Sequence, residues 1–355
     1  MKKVLFCLMI AATLTACGEK TETPKENTKL VVKIGATLPL SGNMAYLGNV
    51  LKKGALLAIE DINKRNNNTF MYHLIIEDDQ MMPQKAALNA QKLINVDKVS
   101  MLITALASNA LAVNSIAENN KTIAFHHSHL PIASKGYYNF QNLVLDYQLT
   151  EMLIKFIQNK KYEKVALFFQ NTAAGEEVSS LLKNKLGKDI IINDFFIQSN
   201  SSNLSTIGYK LKKFNPDLTI VYGFSPLIEQ IGKEILLQKI EGDKIGIDLT
   251  NASNKIEYFE NYYSINSQKG NNEFVKKLGS HLTYQAPYVY DSINFFIRAV
   301  ENIKNNDSSS VVNEILKISE FEGVNGKTMV NKEGQFASKP KIYRVIKGKP
   351  VVVEE

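Results

Sequence analysis

The sequence is poor in cysteine, and this limits how the chain can be cross-linked. It has two cysteines in 355 residues, Cys7 and Cys17. Because Cys7 lies in an N-terminal signal segment, the mature chain keeps a single thiol and has no disulfide framework. A chain of this length can bury a large core without disulfides, so their absence is compatible with an oxidising compartment.

The sequence also lacks the short motifs of common enzyme classes. It contains no GxSxG nucleophile elbow, no GxxxxGK(S/T) phosphate loop, no GxGxxG fingerprint and no HExxH zinc motif. We therefore predict that the protein is not an enzyme and has no cofactor. A hydrolase built from scattered residues would escape such a search, because chemistry does not require a motif.

Positive charge is in mild excess. The net charge is +7, and loss of Lys2 and Lys3 with the signal segment lowers it to +5. The lysines are scattered, without the arginine-rich or aromatic-interleaved stretches that are typical of nucleic-acid binding. We predict no nucleic-acid partner and interpret the charge as an aid to solubility, with weak attraction to an anionic envelope.

The N-terminus has the pattern of a secretory signal. Two lysines precede an apolar stretch at 4–12, which is too short to span a bilayer, and residues 14–17 read LTAC. These four residues resemble a bacterial lipobox, in which the cysteine is lipidated and becomes the first mature residue. We predict a signal peptide at 1–16 and lipidation at Cys17. The alternative is an ordinary signal peptide with a cysteine near its end.

A polar segment follows the predicted lipidation site. Residues 18–30 (GEKTETPKENTKL) are charged, interrupted by proline and without apolar periodicity. Such a composition cannot bury enough apolar surface to fold, so we predict a disordered tether over 17–30. Two or more acyl chains would anchor the tether stably to a membrane.

From residue 31 onward, strand and helix patterns alternate in two successive halves. This order predicts an α/β fold with two doubly wound parallel-sheet lobes. The predicted strands are 72–77, 99–104, 122–125, 164–169, 190–197, 218–222 and 244–247. The predicted helices are 83–94, 108–118, 176–186, 204–214, 226–240, 274–278 and 288–303.

The first strand–loop–helix unit is the most informative segment. A strand runs into a Pro/Gly/Ser loop at 34–49 (IGATLPLSGNMAYLGN), and a helix follows at 50–63 (VLKKGALLAIEDIN). The unit resembles the start of periplasmic solute-binding proteins of the leucine/isoleucine/valine-receptor type, the type I periplasmic binding proteins. Residues 286–292 (APYVYDS) and the closing segment 321–346 resemble later parts of the same family.

The resemblance implies two lobes joined by a three-segment hinge. In that family the chain crosses between the lobes three times, here near 146–149, 264–268 and 327–329. The lobes would then comprise 31–147 with 266–328, and 148–265 with 329–355. A ligand that touches both lobes favours their closed arrangement over the open one.

Ligands of open α/β sheets bind beyond the carboxyl ends of the strands, and residues 107–109 lie at such an end. The resemblance implies that Ser108 and Asn109, with neighbouring backbone amides, hold the carboxylate of an amino acid at a helix N-terminus. The alternative is that Ser108 only caps its own helix.

Three histidines lie within four residues, at 126–129 (HHSH). The family has small residues in this loop, so the chain departs from its pattern here. We predict that His127, Ser128 and His129 line the ligand site, with solvent-facing histidines as one alternative. A metal site is a weaker alternative, because no thiolate, no helical i, i+4 pair and no nearby carboxylate completes it. We predict no metal.

Three further residues complete the predicted site. Asp248 corresponds to the acidic residue with which the family binds the ammonium group of its ligand, unless it only caps the next turn. Tyr46 and Phe224 lie in loops where the family has aromatic walls, although Tyr46 is offset by one position. Such aromatics form binding walls about as often as they pack between lobes.

The resemblance implies a monomeric, lipid-anchored receptor on the periplasmic or extracellular face of a bacterial membrane. It would capture a small, amino-acid-like molecule and deliver it to the permease of an ABC importer. One alternative is an envelope lipoprotein of the same fold that binds a protein, such as a cell-wall synthase, and has a degenerate cleft. Another is a sensor that presents its ligand to a receptor.

Overall fold

The computed structural model describes residues 29–131, 136–187, 189–198, 201, 204–253, 255–280, 282–283 and 285–353. The predicted signal peptide, Cys17 and nearly all of the predicted tether lie outside these ranges. Within the described ranges, no helix is both long enough and apolar enough to cross a bilayer.

The first part of the chain forms a parallel five-stranded sheet with helices on its faces. The strands are β1 (Val31–Leu38), β2 (Met71–Asp78), β3 (Met101–Ala105), β4 (Ile123–His127) and β5 (Asn139–Gln141). The helices between them are α1 (Ala45–Asn63), α2 (Pro83–Asn95) and α3 (Ala107–Asn119). The strand order is β2-β1-β3-β4-β5, and every pair is parallel.

The middle of the chain builds the second lobe. Its helices are α4 (Asp146–Lys160), α5 (Ala173–Leu186), α6 (Ser205–Phe214), α7 (Leu227–Leu237) and α8 (Leu249–Ala252). Its strands are β6 (Lys164–Gln170), β7 (Ile191–Ile197), β8 (Leu218–Tyr222), β9 (Asp243–Ile247) and β10 (Tyr263–Asn266). A 3-10 turn at Ile256–Phe259 precedes β10.

The last part of the chain contributes to both lobes. Helices α9 (Asn272–Leu278), α10 (Ala286–Ile303) and α11 (Ser308–Lys317) return to the first lobe, followed by the hairpin β11 (Phe321–Gly323) and β12 (Gly326–Thr328). Strands β13 (Lys341–Ile346) and β14 (Lys349–Val352) join the second sheet. That sheet has the order β14-β13-β10-β9-β8-β6-β7, and β13 is antiparallel to β10. Two doubly wound lobes are thus confirmed.

Helix α1 shows how the apolar pattern positions the first lobe. Its residues Leu47, Leu51, Ala55, Ala58 and Ile62 recur every three or four positions and are buried. They face the sheet and α10. At Gly54 a Cβ atom would lie 2.8 Å from the carbonyl oxygen of Ala286, so only glycine allows the two helices to approach this closely.

The chain passes between the sheets three times, at 141–146, 266–272 and 336–341. The third crossing differs from the predicted position at 327–329. Phe336 is buried in the core of the first lobe, with its ring 5.9 Å from that of Phe125 and 4.8 Å from that of Phe295. The structure therefore leaves residues 329–336 with the first lobe, where the prediction had assigned them to the second.

Candidate functional site

The two lobes meet at a small buried cavity beyond the carboxyl ends of their strands. Its volume is about 10 Å³, which is roughly the space of one water molecule. One residue comes from the first lobe and eight from the crossing and the second lobe. The lining residues are His129, Asp146, Leu149, Tyr222, Gly223, Phe224, Ile247, Asp248 and Ala252. Three predicted site residues, His129, Phe224 and Asp248, are therefore brought together.

The carboxylate of Asp248 is fixed in the cavity by hydrogen bonds to one of its two oxygens. Asp248 follows β9 with a left-handed backbone (φ 50°), and its Oδ1 accepts hydrogen bonds from Asn251 Nδ2 and the Ser267 amide, each at 2.9 Å. Its Oδ2 is buried and has no hydrogen-bond partner. A buried carboxylate oxygen without a donor costs free energy, so this oxygen can gain a donor from a bound group.

His129 faces Asp248 from the other lobe. Its Nδ1 donates to the carbonyl oxygen of Val144 at 2.8 Å, and this contact fixes the orientation of the ring. Its Nε2 lies 3.6 Å from Asp248 Oδ2, which is too long for a hydrogen bond but close enough for an ion pair when the ring is protonated. The imidazole ring therefore occupies the space beside Asp248 Oδ2 between the lobes.

Asp146 is a second carboxylate of the cavity, and the sequence did not identify it as a site residue. It begins α4 directly after the first crossing and is buried. Burial raises the pKa of Asp146, and the charges of Glu177 and Asp248 raise it as well, whereas His129 lowers it. Burial raises the pKa of Tyr222 well above its usual value, and the charges of Asp146 and Asp248 raise it further.

Two further contacts hold the lobes together beside the cavity. The hydroxyl of Tyr46, at the start of α1, donates to the carbonyl oxygen of Ala252 in α8 at 3.3 Å. Burial is the main reason that the pKa of Tyr46 is raised. Phe224, which follows β8 in the second lobe, packs against the core of the first lobe. Both predicted aromatic residues thus lie between the lobes.

The N-terminus of α3 lies next to the 128–131 loop but not in the cavity lining. The amide of Leu106 donates to the carbonyl oxygen of His127 at 3.0 Å. Leu106 has a positive φ of 67°, which is rare for a leucine, and the helix has no side-chain cap. Its first amides are therefore not occupied by a capping side chain.

Ser108 and Asn109, the two residues predicted to bind ligand at this helix end, differ in their exposure to solvent. Ser108 is exposed in the first turn, so the interpretation of Ser108 as the helix cap is wrong. Asn109 is fully buried, and its side-chain nitrogen has no hydrogen-bond partner among the described residues. Asn109 therefore belongs to the interior of the first lobe.

His126 and His127 lie in β4 and are fully buried, so the alternative of solvent-facing histidines is wrong for both. His127 Nδ1 donates to the Thr104 carbonyl oxygen at 3.2 Å, and its Nε2 accepts from Ser292 Oγ at 3.1 Å. Both nitrogens of His127 are thus bonded to the protein and are not available to a ligand. Burial lowers the pKa of each histidine to about 4.

Ser128 closes the turn after β4. Its Oγ accepts a hydrogen bond from the Leu130 amide at 3.1 Å, and its carbonyl oxygen accepts one from Gln141 Nε2 at 2.6 Å. Its position therefore supports the loop that carries His129.

Across the described part of the chain, no three histidine, cysteine or acidic side chains are grouped as metal ligands would be.

The profile of the periplasmic binding protein family matches residues 31–350 of this sequence. The chain belongs to the periplasmic binding protein family. Its curated relatives are named as binding proteins. One is a leucine-, isoleucine-, valine-, threonine- and alanine-binding protein of Pseudomonas aeruginosa, 26% identical over 55% of this chain. Another is a Leu/Ile/Val-binding protein homolog of Brucella abortus, 22% identical over 79% of both chains.

The chain spans little more than half the length of the Pseudomonas relative, at 54%. Solved structures extend the likeness to the whole fold. A leucine-binding LivK from Thermotoga maritima has a TM-score of 0.79 at 21% identity, covering 91% of this chain and 98% of that one. LivJ from Streptococcus pneumoniae, solved with isoleucine, has a TM-score of 0.80 at 19% identity and coverages of 92% and 100%. These likenesses establish the two-lobed type I fold of this periplasmic binding protein.

Proposed function

We propose that this chain is an extracytoplasmic solute-binding lipoprotein of an ABC importer. It captures a small amino-acid-like ligand between its lobes, and the permease recognises the closed form. The observation that carries this proposal is the buried, unpaired Oδ2 of Asp248 in a cavity between the lobes. An ammonium group supplies the donor that this oxygen lacks, in a charge-assisted hydrogen bond.

The charges around the cavity support a cationic group. Asp146 and Asp248 both line it, and no lysine or arginine does among the residues that the structure describes. The uncapped N-terminus of α3 supports an anionic group on the other lobe, because free amides and the helix dipole favour negative charge. An ammonium and a carboxylate on one small molecule are the features of an amino acid. The names of the curated relatives agree with this class.

The size of the cavity requires that the lobes separate before a ligand enters. A volume of about 10 Å³ holds one water, whereas ligand pockets commonly reach several hundred cubic ångströms. The ligand then takes the place of the His129 ring beside Asp248 Oδ2. Tyr46 and Phe224 close over the body of the ligand in this arrangement.

A thermal-shift screen of the purified protein tests the ligand class. We expect amino acids to raise the melting temperature, because a ligand that binds only the folded state stabilises it. Amines without a carboxylate and acids without an ammonium group should raise it less.

Calorimetry with the best amino acid then tests the residues. Asp248→Asn should weaken binding at least tenfold, since it removes the charge that the ammonium contacts. Glu151→Gln is the matched control, because Glu151 is an exposed carboxylate on the helix that also carries Asp146. Equal affinities of wild type and Asp248→Asn would remove Asp248 from the site.

Lipid anchoring is tested separately by metabolic labelling with a radioactive fatty acid. Label should appear on the wild-type chain and be absent from Cys17→Ser, because acylation at the lipobox needs this thiol. Label retained by Cys17→Ser would contradict the predicted site. The outcome is independent of the ligand.

The water-sized cavity favours one second candidate, an envelope lipoprotein of the same fold that binds a protein such as a cell-wall synthase. In that case the contacts of His129, Tyr46 and Phe224 would close a degenerate cleft permanently. Small-angle scattering separates the two functions. A solute-binding protein should change its radius of gyration with an amino acid that stabilises it, whereas the second candidate should show neither stabilisation nor a change of shape.

A further inference from the structure

A second, much larger cavity lies on the outer side of the first lobe, away from the cleft. Its volume is about 670 Å³, within the range of sites that hold small molecules. One wall is the C-terminal end of α1 with the residues that follow it up to Thr69, the floor is α10, and the other wall is β11 with Val324. We call it the arginine cavity, because Arg65 and Arg298 both line it.

The arginines are informative because the chain has so few. It contains three, Arg65, Arg298 and Arg344, against 39 lysines. Two of the three therefore line one cavity. Arginine differs from lysine in presenting a planar fork that binds carboxylate or phosphate oxygens in pairs.

The cations of the arginine cavity are unpaired. Arg65, Arg298 and Lys304 form no ion pair with any carboxylate in the described ranges. Arg298 Nη1 donates a hydrogen bond to the Glu320 carbonyl oxygen at 3.2 Å. A guanidinium group has five N–H donors, so four of them have no hydrogen-bond acceptor among the described residues. All three side chains are exposed and can meet a ligand from solution.

The anions of the same cavity are mostly engaged inside the protein. Asp291 is buried, and its two oxygens accept the amides of Val324 at 2.8 Å and Asn325 at 3.2 Å. Glu301 accepts hydrogen bonds from two backbone amides and from the hydroxyl of Tyr72. Glu322 is exposed. Asp291 and Glu301 are therefore occupied by hydrogen bonds within the protein. The arginines and Lys304 form no ion pair with them and can donate hydrogen bonds to a bound anion.

We propose that the arginine cavity is a second binding site and that it takes a phosphate group through Arg65 and Arg298. The site is separate from the cleft and does not depend on which ligand the cleft binds. The side chains of Asn67, Asn294 and Asn302 line the same cavity. Asn294 Nδ2 donates to the Tyr290 carbonyl oxygen and Asn302 Nδ2 donates to Glu314 Oε1, each at 2.9 Å, so the two arginines remain the main donors for a phosphate ester.

The position of the site allows two sources of the phosphate group. Lys29 Nζ donates to the carbonyl oxygen of Asn66 at 3.3 Å, and the Met71 amide donates to that of Leu30 at 2.9 Å. The arginine cavity therefore lies beside the point where the N-terminal segment enters the fold. A soluble phosphate ester and the headgroup of a membrane phospholipid offer the same chemistry there.

Calorimetry with inorganic phosphate and with sn-glycerol 3-phosphate tests the soluble source on the full-length protein. The double substitution Arg65→Gln/Arg298→Gln should weaken binding about tenfold or more, because it removes both charged forks. Arg344→Gln is the matched control. Arg344 is the third arginine and lies over the ring of Tyr263 in the second lobe, 5.3 Å from its centroid.

Sedimentation with phosphatidylglycerol vesicles, compared with phosphatidylcholine vesicles, tests the membrane source. Any anchoring by the N-terminus is the same in all variants. The quantity to compare is therefore the fraction of protein that sediments with the vesicles, in the wild type and in the double variant. A preference for phosphatidylglycerol that the double variant loses supports a headgroup, and loss of soluble-ester binding supports a soluble ligand. Melting temperatures should stay unchanged, because both arginines are exposed.

The proposal is overturned if neither probe binds, or if the double variant binds as the wild type does. It is also overturned if Arg344→Gln reduces binding as much as the double substitution. Amino-acid binding in the cleft should be unaffected by all three arginine substitutions. Failure of this site is therefore distinguishable from failure of the proposed importer function.

Discussion

The buried histidines His126 and His127 predict how the stability of the protein depends on pH. Asn139 Oδ1 accepts from His126 Nε2 at 2.7 Å, and the Thr104 hydroxyl donates to the other nitrogen at 2.9 Å. Both rings are therefore held neutral, and burial lowers the pKa of each from 6.5 to about 4. Between these values the unfolded chain binds protons that the native state does not. The free energy of unfolding therefore falls as the pH falls from 6.5 to 4.

The magnitude follows from the two pKa values. Each histidine lowers the free energy of unfolding by about 2 kcal/mol between pH 7 and pH 5, so the pair contributes about 4 kcal/mol. Asp291 acts in the opposite direction, because burial raises its pKa from 3.8 to about 7. Its native carboxyl binds a proton as the pH falls from 7 to 5, which offsets about 2 kcal/mol of that loss.

Because these contributions oppose each other, the assay compares variants. Urea unfolding is followed by circular dichroism at pH 7 and pH 5, since the chain has no tryptophan to report on unfolding. In His126→Gln/His127→Gln the amides can still donate and accept, but they do not titrate. We expect the wild type to lose about 4 kcal/mol more than this variant between the two pH values.

His73→Gln is the control, because His73 is an exposed histidine on β2 and its replacement leaves the two buried rings in place. The reasoning is refuted if the double variant loses as much stability as the wild type between pH 7 and pH 5. It is also refuted if His73→Gln accounts for the difference.

Three further substitutions probe the same structure. Asp291→Asn removes the opposing titration, so the variant should lose about 2 kcal/mol more than the wild type between pH 7 and pH 5 in the same urea assay. Phe224→Ala removes an apolar contact between the lobes and should increase the unliganded radius of gyration in small-angle scattering; an unchanged radius would mean that other contacts hold the lobes. Tyr46→Phe removes only the hydroxyl contact with Ala252, so its scattering curve should change less than that of Phe224→Ala.

Regular elements with strong local signals could be predicted from the sequence almost to the residue. The strand predicted at 218–222 is β8 with the same bounds, and the helix predicted at 83–94 is α2 (Pro83–Asn95). Pro83 starts that helix because its ring pre-sets the first helical φ and the position needs no amide donor. In both cases the apolar pattern and the boundary residue indicated the same element.

Elements without such signals were missed. Strand β5 (Asn139–Gln141) has only three residues, too few for a periodic pattern. Helix α4 has apolar residues at helical spacing, but it begins after Leu145, which is not a side-chain cap, so its start carried no signal. Asp146 was missed as a site residue for the same reason. Its role depends on where the first crossing places the start of α4.

The histidine loop shows how a small error in a boundary changes the interpretation of a site. The strand predicted at 122–125 is β4 (Ile123–His127), so the strand continues two residues further than expected. His126 and His127 therefore lie inside the sheet, and His129 alone reaches the cavity. Apolar and β-branched residues mark strand interiors in a sequence, and buried histidines at a strand end do not.

The contacts between the lobes differ in what they imply for ligand affinity. A ligand shifts the lobes only by the difference between its free energies of binding to the two arrangements. In the proposed binding mode, the contacts of Tyr46 and Phe224 can persist in the liganded closed state, so they favour closure with or without a ligand. The contact of His129 with Asp248, at 3.6 Å, must be broken, because the ammonium takes its place. His129 of the first lobe therefore competes with the ligand for the carboxylate of Asp248 in the second lobe. The apparent affinity for the ligand is proportional to the fraction of protein in which His129 does not occupy this place.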